Sequence, residues 1–394
     1  MNAQDSALPL DLRIIHWLLR DGPRITDSTA FLEAFAEELL ANGIEVSRVS
    51  TGVPTLHPQV FSVSGLWEAG RGTSERRNLA DANTFSRLEH SPVKTVYEGR
   101  GPVRCDLTAP AAEDEYEIYA DLRNEGFTDY LVIGVPFSDG SNKVLTLATK
   151  RRGGFTADET ATFMALIPAL AMNLEIQALR RTAQTLLDVY VGRHAGKRVL
   201  EGAIKRGMGE TIPAVVWVCD VRGFTKLSEE LPREKLIELL NDYFGVMCRA
   251  VEQYQGEVLK FIGDALLAIF PISGEDPAPA CHQALAAARA AVTGIDELNA
   301  ERAKRNEPVI AYGIALHVGD VIYGNIGGEN RLDFTVIGPA VNLAARIEGL
   351  CRELGRSILL SEAFVAAARI AVEPMGRFAL KGVAALATVS APLT

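Results

Sequence analysis

The run Ala214-Val-Val-Trp-Val-Cys-Asp220-Val-Arg-Gly-Phe-Thr225 opens with six apolar residues and then meets a carboxylate. Such a run reads as a buried strand that ends on Asp220. Gly223 breaks it, and Phe224 and Thr225 lead into a helix with Ser228 and Glu229 near its start. A second run, Glu257-Val-Leu-Lys-Phe-Ile-Gly-Asp264-Ala265, repeats the arrangement. Strands over Glu257–Ile262 and Ala265–Phe270 flank Gly263-Asp264, a tight hairpin turn. A buried carboxylate is costly unless paired or metal-bound. Two of them at neighbouring strand ends can clamp hard divalent cations, which prefer oxygen ligands and suit phosphate chemistry. Either aspartate alone reads as a turn or helix cap; the pair, each beside a glycine, favours the metal.

Further residues fall into place around this pair. The backbone of Val221 to Thr225 can offer free N–H groups to phosphate oxygens at a strand-to-helix junction. Asn342 and Arg346 stand four apart on one helix and point the same way, an amide and a guanidinium suited to a ribose and a polyphosphate or simply to solvent. Lys260 sits on a strand within the apolar run Val258–Ile262 and needs a partner, or lies exposed at an edge. Lys381 poses the same choice. The six histidines are dispersed without ligand-like spacing and read as structural. Walker, GxSxG and HExxH motifs are missing.

Outward from these motifs, helices are expected over Leu231–Tyr254, Ala280–Lys304, Ala340–Leu350 and Glu362–Arg369. Strands are expected over Val309–Val318, Val321–Ile326, Phe334–Ile337, Ile358–Ser361 and Phe378–Lys381. This alternation predicts a sheet with helices on one face. A long helical stretch, Ala157 to Ala203, precedes the block, with apolar residues at helical spacing that fit packing on its own domain, a two-stranded coiled coil, or each over different turns. The N-terminal part has a helix over Thr29–Leu40 and extended runs at Glu45–Ser50, Val60–Leu66 and Val93–Tyr97. A helix over Asp114–Asn124 and a hairpin of Asp129–Pro136 with Lys143–Ala148 follow, which predicts an antiparallel α+β domain.

The 394 residues suggest two or three domains. Forty Lys and Arg against fifty Asp and Glu leave a net charge of -10, which argues against a nucleic-acid coat or a polybasic membrane anchor. The five cysteines are scattered without a CxxC pair, so a reducing compartment is expected. No leader peptide is visible. The longest apolar stretch, Phe163–Ile176, holds Pro168 and Asn173 and is shorter than the roughly 20 residues that cross a bilayer. A cytoplasmic protein without a membrane span is expected.

Four motifs in order resemble the class III nucleotidyl cyclases, in particular bacterial adenylate cyclases: Asp220-Val-Arg-Gly-Phe-Thr225, Lys260-Phe-Ile-Gly-Asp264-Ala265, Asp333-Phe-Thr335-Val-Ile-Gly338 and Val341-Asn342-Leu-Ala-Ala-Arg346. The resemblance covers about Ala214 to Val389. It implies an α+β chain with a ferredoxin-like (palm-like) catalytic domain over 213–394 and conversion of ATP to 3′,5′-cyclic AMP and pyrophosphate. By the same resemblance, Asp220, Asp264 and the backbone of Val221 would hold two Mg²⁺ or Mn²⁺ ions. Gly223, Phe224 and Thr225 would cradle phosphate, Asn342 would orient the ribose, Arg346 would stabilise charge on the phosphoryl oxygens, and Lys381 would hold the terminal phosphates. Lys260 and Thr335 would read adenine; Lys260 disfavours guanine, whose N1 already carries a proton. Thr335 stands where many members have Asp, and the Lys/Thr pairing resembles a subgroup in which bicarbonate stimulation has been described. Asp333, two residues earlier, reads as structural, although a local shift could put it near the base. Members share each site between two subunits, so a homodimer is implied. Residues 1–156 resemble a GAF-type sensor in pattern, with a small-molecule ligand expected and Trp67 and His57 as possible lining residues, more readily structural. Residues 157–212 would be the helical linker. A guanylate cyclase and a non-catalytic nucleotide-sensing module are the alternatives.

Overall fold

In the computed structural model, which describes residues 8–54, 60–79, 81–113, 115–202, 207, 209–329, 331–382 and 385–393, the chain divides into two units, Met1–Leu186 and Leu187–Thr394. The first unit contains α1 (Leu10–Arg20), α2 (Ser28–Ala41), β1 (Arg48–Pro54), β2 (Val60–Glu68), β3 (Gly72–Leu79), α3 (Ala82–Glu89), α4 (Pro92–Tyr97), β4 (Val103–Asp106), α5 (Glu117–Asn124), β5 (Asp129–Pro136), β6 (Asn142–Thr149) and most of α6 (Ala157–Tyr190). The strands form one antiparallel sheet in the order β3-β2-β1-β6-β5-β4. Residues alternate across it. Leu131, Ile133, Leu145 and Leu147 face α1, α2 and α6, while Tyr130, Val132, Val144 and Ala148 face Val96 of α4 and Tyr119 and Leu122 of α5.

Two stretches of this unit meet at Asp129, whose buried carboxylate takes the Phe155 N–H at 2.8 Å and the Arg104 guanidinium at 2.7 Å. Gly154 (φ +70) passes so close that a β-carbon would stand 2.5 Å from Asp129 Oδ2. Trp67 is packed in the core; His57 lies outside the described residues. The segment Val93–Tyr97, expected as a strand, is the helix α4, because Ser91 caps Val93 N–H and Pro92 is pre-set for a first helical turn.

α6 is one helix of 34 residues. Phe163, Leu166, Leu170 and Leu174 bury its first half in the core of the first unit. By length and composition it could cross a membrane, but 56% of its most apolar window is buried inside the protein. It stops at Tyr190 because Gly192 takes φ +95, and the expected continuous helix to Ala203 is instead broken there.

The second unit contains α7 (Arg193–Leu200), β7 (Gly209–Val221), α8 (Phe224–Glu230), α9 (Arg233–Gln253), β8 (Glu257–Ile262), β9 (Ala265–Pro271), α10 (Ala278–Lys304), β10 (Tyr312–Gly327), β11 (Leu332–Ile337), α11 (Pro339–Glu348), α12 (Leu350–Glu353), β12 (Ile358–Ser361), α13 (Glu362–Ala368), β13 (Val372–Phe378) and β14 (Ala387–Pro392). Within the sheet order β13-β14-β12-β10-β7-β9-β8, the four strands β10-β7-β9-β8 with α9 and α10 make a βαββαβ ferredoxin-like core. β11 pairs with the far half of β10.

Period-two alternation along β7 builds both faces of this sheet. Val215, Trp217, Cys219 and Val221 meet Leu239, Tyr243 and Met247 of α9 and the small residues Ala284, Ala288 and Ala291 of α10. Ala214, Val216 and Val218 meet Ala340 and Ala344 of α11 and Ala195 of α7. Helices therefore cover both faces, not one as the alternation of elements had implied. Each large side chain fully buried in this way contributes roughly 1.5–3 kcal/mol. Two expected strands, Val309–Val318 and Val321–Ile326, are the single strand β10, which runs through Gly319 and Asp320 because β7 pairs with it along its whole length. The expected last strand at Phe378–Lys381 ends at Phe378, and β14 follows.

Candidate active site

β7 carries Asp220 to its end. The chain then turns through Gly223, whose φ of +73° and ψ of 22° lie in the left-handed region that favours glycine, and α8 begins. β9 neighbours β7 with Cys219 opposite Leu266, and the β8–β9 turn places Asp264 just before β9. Gly263 gives that turn its φ of +66°. The register thus brings the two aspartates together. Their carboxyl groups are close enough to share a hydrogen bond, and Asp220 Oδ1 also accepts from the Val221 N–H at 2.8 Å. Burial, then the hydrogen bond to Asp264 and the charges of Asp264 and Glu348, push the Asp220 carboxyl up to about 7.

Carboxyl groups so apposed hold a proton between them or a cation in its place. The donor set is all oxygen, which suits a hard divalent ion. Among the described residues no group of three His, Cys, Asp or Glu side chains makes a complete cage. Mg²⁺ in phosphate-handling sites typically uses one or two carboxylates and takes its remaining ligands from water and substrate, so the residues present fit it.

Glu348 is an acidic neighbour that the sequence reading did not single out. It closes α11, and its Oε1 stands against Gly313, the residue paired with Asp220 across β7 and β10. Burial, with the charge of Asp264 adding and that of Arg222 opposing, pushes Glu348 up to about 7. On the same helix Asn342 and Arg346 are exposed, and neither side chain has a hydrogen-bond or ion-pair partner among the described residues. Arg346 and Glu348 are two residues apart, about 200° around the helix, so one faces out and the other in. The largest influences on Asp220 include no cation.

The residues expected to read a base also come together. Lys260 Nζ donates to Asp333 Oδ2 at 2.7 Å. Asp333 and Thr335 are two apart on β11 and share a face, while Phe334 and Val336 point the other way into the core. Thr335 is 3% exposed and its Oγ1 has no hydrogen-bond partner among the described residues. Asp333 is thus the partner of Lys260, which the sequence reading left undecided.

Three expected residues are less gathered. The Phe224 ring packs against the core, which leaves only its backbone for phosphate. Thr225 is exposed, and its carbonyl accepts from Ser228 Oγ at 2.7 Å. Lys381 is exposed in a turn after β13. Glu348 escaped notice because its meaning lies in the β7–β10 register, which no local pattern encodes.

Residues 210–390 match the family model described as "Adenylate and Guanylate cyclase catalytic domain". An adenylate cyclase of Anabaena cylindrica is 38% identical over 162 residues, 41% of this chain and 32% of that protein. The chain therefore spans about a third of the length of that relative. Among solved structures, the guanylyl cyclase Cya2 is 29% identical and covers 46% of this chain and 92% of its own, with a TM-score of 0.42. The adenylyl cyclase CyaB from P. aeruginosa is 27% identical and covers 48% and 96%, with a TM-score of 0.41.

Proposed function

We propose that the protein, whose residues 210–390 match the family model of adenylate and guanylate cyclase catalytic domains, is an adenylate cyclase, converting ATP to 3′,5′-cyclic AMP and pyrophosphate at two sites shared by a homodimer. The observation that carries this reading is the apposition of Asp220 and Asp264 at one place on the domain, with exposed Asn342 and Arg346, whose side chains have no partner among the described residues, presented outward on α11. Each half lacks what the other offers.

In the reaction the ribose 3′-oxygen attacks the α-phosphorus, its proton departs, and the bond from that phosphorus to the β-phosphate bridge breaks. Two divalent cations, Mg²⁺ or Mn²⁺, would supply Lewis acidity toward the 3′-hydroxyl and charge neutralisation for the triphosphate. Asp220 and Asp264, with the backbone of Val221, would hold them. The backbone from Gly223 to Thr225 receives phosphate oxygens. From the partner protomer, Asn342 orients the ribose and Arg346 donates to oxygens on which charge builds. Lys381 meets the terminal phosphates, and Lys260 and Thr335 meet the base. Positioning and electrostatics do the work.

The second half of α6 supports a dimer. Met172, Leu179 and Leu186 recur every seven residues and are 57%, 63% and 39% exposed. Ile176, Ala183 and Tyr190 fall between them at the alternate heptad positions. An apolar seam of period 3.5 is the pattern by which two identical helices pair. The first unit acts as a GAF-like sensor for a small ligand, on the strength of its antiparallel sheet with helices on both faces.

The test is direct. Purified full-length protein is incubated with Mn²⁺ and either ATP or GTP, and the product is identified by chromatography. Cyclic AMP is expected; no product from either nucleotide would refute catalysis. Asp264→Ala and Arg346→Ala proteins are each expected to be inactive, and their mixture to regain activity through one intact site per heterodimer.

A further inference from the structure

We infer that the first unit holds a binding site for a short-chain monocarboxylate, in a pocket between α6 and the β1, β2 and β3 strands of its sheet. The site gives a place and a chemistry to the small ligand proposed for that unit, and it does not depend on the cyclase reading. All of its lining lies within residues 28–182. The pocket measures about 40 Å³, more than the roughly 10–15 Å³ that a single water needs.

Strand register sets the floor. Thr51 on β1 pairs with Gly65 on β2, and Gly65 pairs with Glu75 on β3, so the three form one row across the sheet. Gly65 puts no side chain between the other two. Its backbone is ordinary strand, open to any residue, so what the glycine supplies is room. A β-carbon there would stand 2.9 Å from Leu32 Cδ2 and 3.6 Å from Thr51 Oγ1. Val63, Leu174 and Ala178 provide apolar walls.

Hydrogen-bond donors come from α6. Gln177 and Arg181 stand four apart on it and share a side. Gln177 is 8% exposed, and its Nε2 is buried with no hydrogen-bond partner among the described residues. A buried amide left unpaired costs free energy, and an acceptor in the pocket recovers it. Arg181 Nη2 donates to Ser28 Oγ at 2.7 Å and to Glu75 Oε2 at 2.5 Å. Its Nε and Nη1 have no partner among the described residues. Glu75, the acidic residue of the lining, is thus already engaged, while the amide, the guanidinium and the Thr51 hydroxyl can donate. Such a donor set suits a charged oxygen acceptor, and the walls suit a short hydrocarbon tail. Leu179 of the exposed seam is two residues from both Gln177 and Arg181, about 200° around the helix. An occupant therefore touches α6 on the side opposite that seam.

The experiment uses full-length wild type, Gln177→Leu, Arg181→Met and Arg346→Ala. Each is titrated with propionate, butyrate and the neutral propionamide by saturation-transfer NMR, and melting temperatures are recorded without ligand. Wild type is expected to bind both acids saturably, and propionamide at least tenfold more weakly. Gln177→Leu and Arg181→Met are expected to weaken the acids by roughly tenfold or more, the range for one hydrogen bond to a charged group. Gln177→Leu keeps the side chain's size and should melt no lower than wild type, since it removes the unpaired amide; it decides the matter if Arg181→Met is unstable. Arg346→Ala should bind the acids as wild type does. Wild type that binds neither acid overturns the inference, as does unchanged affinity in Gln177→Leu. Propionamide binding as tightly as propionate overturns the carboxylate assignment. Loss of binding in Arg346→Ala in place of Gln177→Leu puts the acid in the catalytic domain and also overturns it. All of these leave the cyclase reading standing, whereas intact propionate binding without any cyclic nucleotide product refutes that reading alone.

Discussion

Glu348 lies over Gly313, and its Oε1 occupies the space that a β-carbon at position 313 would need. Gly313 is the cross-strand partner of Asp220. A glycine at that register position is therefore what lets the end of α11 reach the paired carboxylates. One helix then presents Asn342 and Arg346 to one side and a carboxylate to the other. We expect Gly313→Ala to lower kcat by tenfold or more, since displacement of about 1 Å at a catalytic group has effects of that order. Circular dichroism should show the fold retained.

Glu348→Gln removes a negative charge from a crowded place. Glu348 and Asp220 both sit at about 7, above the ordinary carboxylate range, so both are held in a fold that favours their protonated forms. In metal-free protein the stability they lend is full below about pH 4 and is lost as pH rises toward 7. Melting in EDTA should therefore show Glu348→Gln and Asp220→Asn gaining stability over wild type as pH rises through that window. Because both groups are partly exposed, the gain is expected to be about 1 kcal/mol, or roughly 2–4 °C. Calorimetric titration with Mn²⁺ should show weaker binding in both, and Asp220→Asn should be inactive.

His317 produces the opposite pH response. It is buried on β10, with Nδ1 2.8 Å from Ser361 Oγ at the start of α13. Burial lowers its pKa from 6.5 to about 4. The unfolded chain takes up a proton below 6.5 that the folded domain refuses until about 4, so stability falls as pH drops through that interval. The full effect is about 3 kcal/mol by the usual conversion. His317→Gln should flatten the acid limb of melting temperature against pH; an unchanged limb would contradict the assignment.

Asp129 in the first unit is the stability anchor of the turn before α6. Asp129→Ala leaves Arg104, held at 2.7 Å in the wild type, without its counter-charge and the Phe155 N–H unpaired. We expect a loss of about 1–3 kcal/mol, the cost of the unpaired N–H, since Arg104 is 41% exposed and its charge meets water. It should appear as earlier protease cleavage within residues 1–186 while the second unit resists.

The seam on α6 gives a test of assembly. Leu179→Asp places a charge at a position that is 63% exposed in the single chain. Sedimentation velocity should show a shift toward monomer, and under the proposed sharing of each site between protomers cyclase activity should fall in parallel. Leu179→Ile should behave as wild type.

Much of the placement of the candidate residues was legible in residues 214–346, because strand ends, glycine turns and a helical i, i+4 pair are short-range patterns. Asp220, Gly223, Gly263 and Asp264 stood out from their neighbours alone. The pairing of Lys260 with Asp333 was not legible, since 73 residues separate them. The strand expected at Val93–Tyr97 went wrong for a related reason: β-branched residues favour extension, but a serine cap and a proline at the first turn prevailed.

The chain itself determined which secondary elements carry the candidate residues, because periodicity and turn chemistry act over a few residues. Tertiary structure alone decided that Asp220 meets Asp264, that Glu348 enters beside them over Gly313, that Thr335 is buried without a partner among the described residues, and that helices cover both sides of the second sheet. Those facts depend on strand order and register, and register is set by packing summed over the whole domain.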